Sequence, residues 1–581
     1  MYTQVFDPMG NMALSALIAF IPIIFFFLVL VILKVKGYWA GLMTAGVAIV
    51  LAVLFFHMPL NLAVVSAVHG FVYGFFPIGW IVLAATFLYN LTVETGQFEI
   101  IKKSISSITD DRRLQVLLIC FCFGAFLEGA AGFGTPVAIT AAMLVGLGFR
   151  ARYAACLALL ANTAPVAFGG LGIPVLVAAQ VTGLDSANIS RLLAWILPLI
   201  GIIIPFYIVV VMSGIKGVWE LFPAIMVCSG SFALVLGFTS YFLGPVLPDI
   251  TASIACLVCM TLFLKIWKPT TVFRFENDVP IEENKEKLHM KEVIRAWSPF
   301  IILIIMIADW GMKSVLALLN TVTIAFPVPI INNAIISGTT HRALPMIFSL
   351  NWLSAAGTAI VLAALVSCIV LRVSPVRAIK IFISSCKQLR WTFVVIGSVL
   401  GYAYVGNNSG MITTMGYFVA GSGALFPLFA SIIGWIGTFV TGSDTSANAL
   451  FAKLQTTAFE AIGSSGFLGV GANLAGGGLG KMISPQSIAI AAAVTNIVGE
   501  EGELYKFSMK HSIILLAIVS IYIYMLAGPL NFLIPVVKGE VLAASTVDPS
   551  LLYQAGALFL AGTVVLFAIF AVVFKPVKNK I

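Results

Sequence analysis

Two carboxylates and a lysine stand where charge is least expected. Glu128 lies in Gly124-Ala-Phe-Leu-Glu-Gly-Ala-Ala-Gly-Phe-Gly-Thr-Pro136 and Asp444 in Gly437-Thr-Phe-Val-Thr-Gly-Ser-Asp-Thr-Ser-Ala-Asn448. Each is flanked by small residues inside a long apolar stretch. Ionisable groups in hydrocarbon are costly, so they either serve function or sit in a permanent pair. A carboxyl group in such a place can take up and release a proton during a cycle. Glu128 and Asp444 are therefore the proton-coupling candidates, with a locked structural carboxylate as the plain alternative.

Two further strings carry backbone chemistry. Asn162-Thr-Ala-Pro-Val-Ala-Phe-Gly-Gly-Leu-Gly-Ile-Pro174 and Asn473-Leu-Ala-Gly-Gly-Gly-Leu-Gly-Lys-Met-Ile-Ser-Pro485 share their Asn-to-Pro spacing. Glycine and proline interrupt a helical ladder. The freed N–H and C=O groups must line a cavity or be buried in protein. The N-terminal end of a half-helix carries partial positive charge and binds anions. Asn162, Thr163, Gly170, Asn473, Gly477, Lys481, Ser484, Gln486 and Ser487 are thus candidates to bind a small acid. Lys481 either attracts that acid or pairs with Glu128 or Asp444. Ser484 equally suits capping of a half-helix that begins at Pro485. The competing reading of the glycines is close helix packing.

The elements that must hold these residues follow from composition. Of 581 residues, 61% are apolar and 9% charged. A soluble domain is nearer a quarter charged. The apolar blocks reach bilayer length, about 20 residues, and lack the alternation of a barrel. The expected fold is an all-α polytopic membrane protein. Spans are placed at 13–33, 38–56, 71–91, 151–181, 191–213, 220–240, 251–267, 297–319, 351–371, 391–420, 465–498, 507–526 and 551–574, about thirteen in all. The stretches 114–149 and 424–461 are read as two re-entrant hairpins. The two hairpin-plus-break units form inverted repeats with interrupted helices, a pattern of secondary transporters.

The net charge of +9 comes from basic residues between the apolar blocks. That placement argues for topology determination and against nucleic acid. It puts the N-terminus outside and the C-terminus in the cytoplasm of a bacterial inner membrane. The chain divides into 1–267, a charged linker 268–296, and 297–581. Cys256 and Cys259 form a lone CxxC inside a span and read as packing. The histidines show no metal-ligand spacing, so no metal or cofactor is called for. Asp309 and Lys313, four apart, are expected to pair on one helical face. No nucleophile elbow or phosphate loop argues for an enzyme.

The strings at Gly124–Ile139, Asn162–Phe168, Thr441–Phe451 and Gly480–Ala489 resemble the bacterial lactate permease family, as do Phe6-Asp-Pro8, Thr95-Gly-Gln-Phe98 and Pro245-Val-Leu-Pro-Asp249. The resemblance runs over nearly the whole chain. It implies a proton symporter importing L-lactate, with D-lactate and glycolate as related substrates. Thr135 and the Asn473-Leu474 pair depart from the family pattern, which bears on the exact substrate. Two rivals stay open: a sodium-coupled carrier using break carbonyls, and an anion channel.

Overall fold

The computed structural model describes residues 1–33, 35–106, 108–132, 134–274 and 289–534. The expected span 551–574, the C-terminal placement and most of the charged linker fall outside these residues.

Helices α1 (Met12–Phe27) and α2 (Gly37–Leu54) come first. Next, α3 (Leu60–Tyr73) and α4 (Trp80–Glu94) join through a π-helical Gly74–Gly79 into one long apolar run. This run begins earlier than the expected 71–91. His69 lowers the local hydropathy, yet it is buried among the rings of Tyr73 and Tyr404. After α5 (Gln97–Ser106) comes a helical hairpin. Its first limb is α6 (Arg112–Val116), a π-helical Leu117–Phe123 and α7 (Gly124–Ala130); its second is α8 (Thr135–Gly146). The reversal uses Gly132 and Gly134, at φ +60° and +82°, where a side chain would be strained.

Helices α9 (Ala151–Ala161) and α10 (Gly169–Thr182) meet at a 68° bend. Then α11 (Ser186–Phe242) runs for 57 residues. At 1.5 Å per residue it would be about 85 Å long, nearly three bilayer cores. It breaks at Gly214 (φ 68°, ψ −172°), between the two spans expected there. Helix α12 (Pro248–Ile266) closes the first half.

The second half holds α13 (Met290–Gly311), α14 (Lys313–Asn320), α15 (Ala356–Leu371), α16 (Pro375–Ser409) and α17 (Met411–Ala420). A second hairpin follows, α18 (Phe426–Thr441) and α19 (Asp444–Ala461), then α20 (Gly466–Lys481), α21 (Pro485–Val494) and α22 (Glu501–Ala527). Helix α16 starts well before the expected 391, so basic residues assigned to a loop, Arg377 to Arg390, lie on its first turns. Helix α13 ends at Gly311 and Met312 is extended. Asp309 and Lys313 therefore do not share one helix, contrary to expectation.

Small β-pairings lie outside the helices. Tyr2–Thr3 pairs in parallel with Ile335–Ile336, and Ile324–Pro327 antiparallel with Ile347–Leu350. The N-terminus and the 324–350 segment therefore share one side of the molecule. Among the described residues, ten helices are long and apolar enough to cross a membrane, or eleven with the bent pair as one span. The chain is an all-α polytopic membrane protein, and α11 alone covers two of the expected spans.

The first hairpin limb, Arg112–Ala130, is wholly buried, so protein and not lipid sheathes it. Its base is held by Arg113, which binds Asp111 (2.9 Å) and Glu220 (2.7 Å). Asp111 also accepts from the backbone N–H of Phe273 (2.9 Å). The hairpin base, the α11 break and the start of the linker thus meet on one side, as the basic-residue pattern requires. Losing one member of a buried ion network leaves charge uncompensated. Arg113→Ala is expected to lower stability by about 3–5 kcal/mol, read as a drop in the thermal midpoint of the detergent-solubilised protein. An unchanged midpoint would show that the network is dispensable.

Candidate functional site

The first break begins at Asn162, which ends α9. Pro165 supplies no N–H to continue the ladder. Gly170, Leu171 and Gly172 then form a left-handed turn, at φ 54°, 62° and 74°. For Leu171 that costs about 1–2 kcal/mol. Gly172 is required by contact as well: a Cβ there would overlap the Pro245 carbonyl. From Ile173 the chain is right-handed again, so a fresh helix N-terminus starts in the protein interior.

The second break falls within the expected 473–485 but is shorter than expected. Helix α20 runs unbroken through Asn473 and Gly476-Gly-Gly478 to Lys481. The interruption is Met482–Ser484, after which α21 begins with Pro485. The glycines instead let α20 press onto α18. A Cβ on Gly476 would overlap the Ser431 carbonyl, and one on Gly480 the Trp435 carbonyl. Close packing through small residues accounts for this run. Asn473 is a buried mid-helix residue that donates to Asn448 (2.9 Å). Ser484 caps α21, accepting from Ser487 N–H (3.2 Å) and donating to its hydroxyl (2.9 Å).

The motifs nevertheless converge. One cavity of about 60 Å³ is lined by Glu128 and Gly132 of the first hairpin and by Val166, Gly169, Gly170, Ile173 and Pro174 of the first break. Gly442, Ser443, Asp444 and Thr445 of the second hairpin tip and Lys481 and Gln486 of the second break complete it. That space exceeds the roughly 10–15 Å³ one water needs. The starts of α10, α19 and α21 all reach it, each with the partial positive charge of a helix N-terminus. Of the expected acid-binding residues, Gly170, Lys481 and Gln486 line it. Asn162, Thr163, Asn473, Gly477, Ser484 and Ser487 do not. The Thr163 hydroxyl is spent on the Leu160 carbonyl (2.7 Å).

Polar side chains lie directly on glycine backbone around this space. A Cβ on Gly169 would fall 2.6 Å from Glu128 Oε1. Gln486 covers Gly442 in the same way, and Asp444 covers Gly477. Lys481 Nζ meets Glu128 Oε1 at 2.5 Å, both side chains being buried. The alternative left open for Lys481 thus resolves to Glu128 in this conformation. Glu128 Oε2 has no hydrogen-bond partner among the described residues. Asp444 Oδ1 accepts from Asn448 (3.0 Å) and Thr438 (3.3 Å), while its Oδ2 has none.

Ser443 and Thr445 were missed as lining residues; their place at a helix start directly after a tight turn was the available signal. A buried trio of thiols, Cys122, Cys228 and Cys256, also escaped notice, with Sγ–Sγ distances of 3.1 to 3.7 Å. The three come from separate segments, so spacing could not reveal them. A second cavity of about 500 Å³ is lined by Tyr73, Pro77, Gln180, Asn320, Thr323, Ser349 and Asn351, beside the β-pairings.

Helices broken inside the membrane around a charged cavity define the class, a membrane transporter. Residues 15–529 match the family model described as L-lactate permease, and the chain belongs to that family. It is 48% identical to the L-lactate permease of Salmonella typhimurium, over 92% of this chain and 100% of that protein. It is 47% identical to glycolate permease GlcA of Escherichia coli, over 90% and 97%. Identity to the L-lactate permease of Bacillus subtilis is 45%, over 92% and 100%. The solved Alcanivorax borkumensis YdaH transporter is similar at a TM-score of 0.42 and 14% identity, covering 80% of this chain and 89% of that one.

Proposed function

We propose that this protein imports L-lactate, with D-lactate and glycolate as related substrates, by proton symport across the bacterial plasma membrane. The relatives named L-lactate permease and glycolate permease support the substrate class. The observation that carries the mechanism is the shared cavity, where three helix starts and Lys481 face two buried carboxyl groups. The substrate carboxylate lies against Lys481 and the N–H ends of α19 and α21. The 2-hydroxyl bonds Ser443, Thr445 or Gln486. A proton on Glu128 or Asp444 offsets the substrate's charge, which makes the loaded carrier cheaper to reorient.

Each hairpin enters and leaves on one side, and the two do so from opposite sides, as inverted repeats around the 268–296 linker, with the N-terminus outside and the C-terminus in the cytoplasm. Helix α8 supports this: its 12 residues span about 18 Å, short of a 30 Å core. Alternating access follows from motion of one repeat against the other.

The test is uptake of labelled L-lactate into proteoliposomes under an inward proton gradient. D-lactate and glycolate should compete, and pyruvate and acetate should not. Exchanging sodium for potassium should change nothing; a sodium requirement would replace the proton with a metal ion. Glu128→Gln and Asp444→Asn are each expected to impair pH-driven accumulation. If both variants accumulate lactate normally, neither carboxyl carries the proton.

A further inference from the structure

Asp249 stands at the start of α12, beside the site but off the cavity wall. It is 1% exposed, and neither carboxylate oxygen has a hydrogen-bond partner among the described residues. Its Cβ packs against Gly129, the residue after Glu128: a Cβ on that glycine would lie 2.7 Å away. Glu128 and Lys481 are the charged groups that act on it. From the other elements packed on α12, α11 presents Thr239 to Thr251 (2.9 Å), and Cys122 and Cys228 surround Cys256 two turns deeper. Lys481 is already committed to Glu128. Among the described residues, Asp249 is thus a buried acid with no cation and no donor of its own. Such a group is costly as an anion and ordinarily marks a function when it lies in a membrane helix.

Its position suggests which function. Leu247 and Pro248, just before it, are buried with it, while Glu128, next to Gly129, faces the cavity. Asp249 is therefore a second buried acid behind the ion pair.

We propose that Asp249 is the proton relay that loads and unloads Glu128. The inference rests on the proton-symport reading above. In the conformation seen, Lys481 and Glu128 cancel and Asp249 holds a proton, so the trio is neutral. On loading, the proton passes through one water: the O–H bond of Asp249 breaks as an O–H forms on the water, and another O–H of that water breaks as one forms at Glu128 Oε2, an oxygen with no partner among the described residues. Neutral Glu128 releases Lys481, which turns its charge to the incoming carboxylate. Asp249 then regains a proton from the aqueous side. The balance is one proton and one substrate anion taken up, with the site neutral before and after. As a relay, Asp249 is a positioning residue that acts through Glu128.

The experiment compares wild type, Asp249→Asn and Asp249→Glu in proteoliposomes. Two rates are read: net lactate accumulation driven by a pH gradient, and lactate counterflow at equal pH. Asp249→Asn should lose roughly 100-fold in gradient-driven accumulation, the size of a lost proton-transfer group. Counterflow needs no net proton movement and should stay near wild type. Asp249→Glu should keep accumulation with a displaced pH profile. Wild-type accumulation and pH profile in Asp249→Asn would overturn the proposal, and so would equal loss of both rates in a folded, monodisperse variant. Should Asp249→Asn not fold, Asp249→Glu decides alone: an unshifted pH profile overturns the relay. If wild type itself fails to accumulate lactate under the gradient, the symport reading fails, whatever the variants do.

Discussion

Lys481→Gln will abolish lactate uptake and destabilise the protein, whereas Glu128→Gln combined with Lys481→Gln will restore stability without restoring uptake. Removing the lysine alone strands a buried carboxylate whose other oxygen already lacks a partner. Breaking a buried pair from one side costs about 3–5 kcal/mol, while replacing both members with neutral groups is often tolerated. Thermal midpoints of the two proteins in detergent read this difference. Uptake separates the structural role from the binding role. The ammonium is the cation on the cavity wall, and losing a desolvated charge contact of about 2–5 kcal/mol weakens binding at least roughly 30-fold. A double variant that transports normally would reduce the pair to a structural brace.

The second large effect is expected at Gly477. Its Cα lies against the Asp444 carboxylate and the Thr438 hydroxyl, so Gly477→Ala drives a methyl group into both. Neither can retreat freely, because Asn448 and Thr438 hold the carboxylate and α20 is packed on α18. Overpacking of this kind costs about 1–3 kcal/mol. The functional loss should be larger, since moving a site group by about 1 Å can cost 100-fold. Gly46→Ala serves as the comparison. Gly46 lies within α2 and a Cβ there meets nothing within 4 Å, so that variant should gain up to about 1 kcal/mol of helix stability. Uptake rates and thermal midpoints of both variants check this; normal uptake by Gly477→Ala would show that the second hairpin tip tolerates displacement.

The membrane helices and the chain reversals at Gly132–Gly134 and Gly442 were legible because hydropathy blocks and glycines report directly on lipid burial and chain reversal. The first break was legible too: Pro165 and the glycines after it leave the ladder no continuation. The second was drawn too long, since only Met482–Ser484 of 473–485 leave the helix. A glycine triplet carries no mark that tells a broken helix from one packed backbone to backbone, and only the α18 carbonyls over Gly476 and Gly480 decide it. Lys481 stood between two carboxylates in the reading of the sequence, and three-dimensional packing chose Glu128. Asp249 drew no notice as a site because an acid in the first turn of a helix is ordinary dipole complementation. Nothing in a separation of 121 residues ties it to Glu128.

The most direct measurement is a map of the protein with L-lactate bound. The substrate carboxylate is predicted within hydrogen-bond distance, about 2.7–3.2 Å, of Lys481 or the N–H groups that open α19 and α21, with both hairpin tips around it. Lactate seated instead in the larger cavity by Tyr73 and Gln180, with Lys481 untouched, would contradict the account.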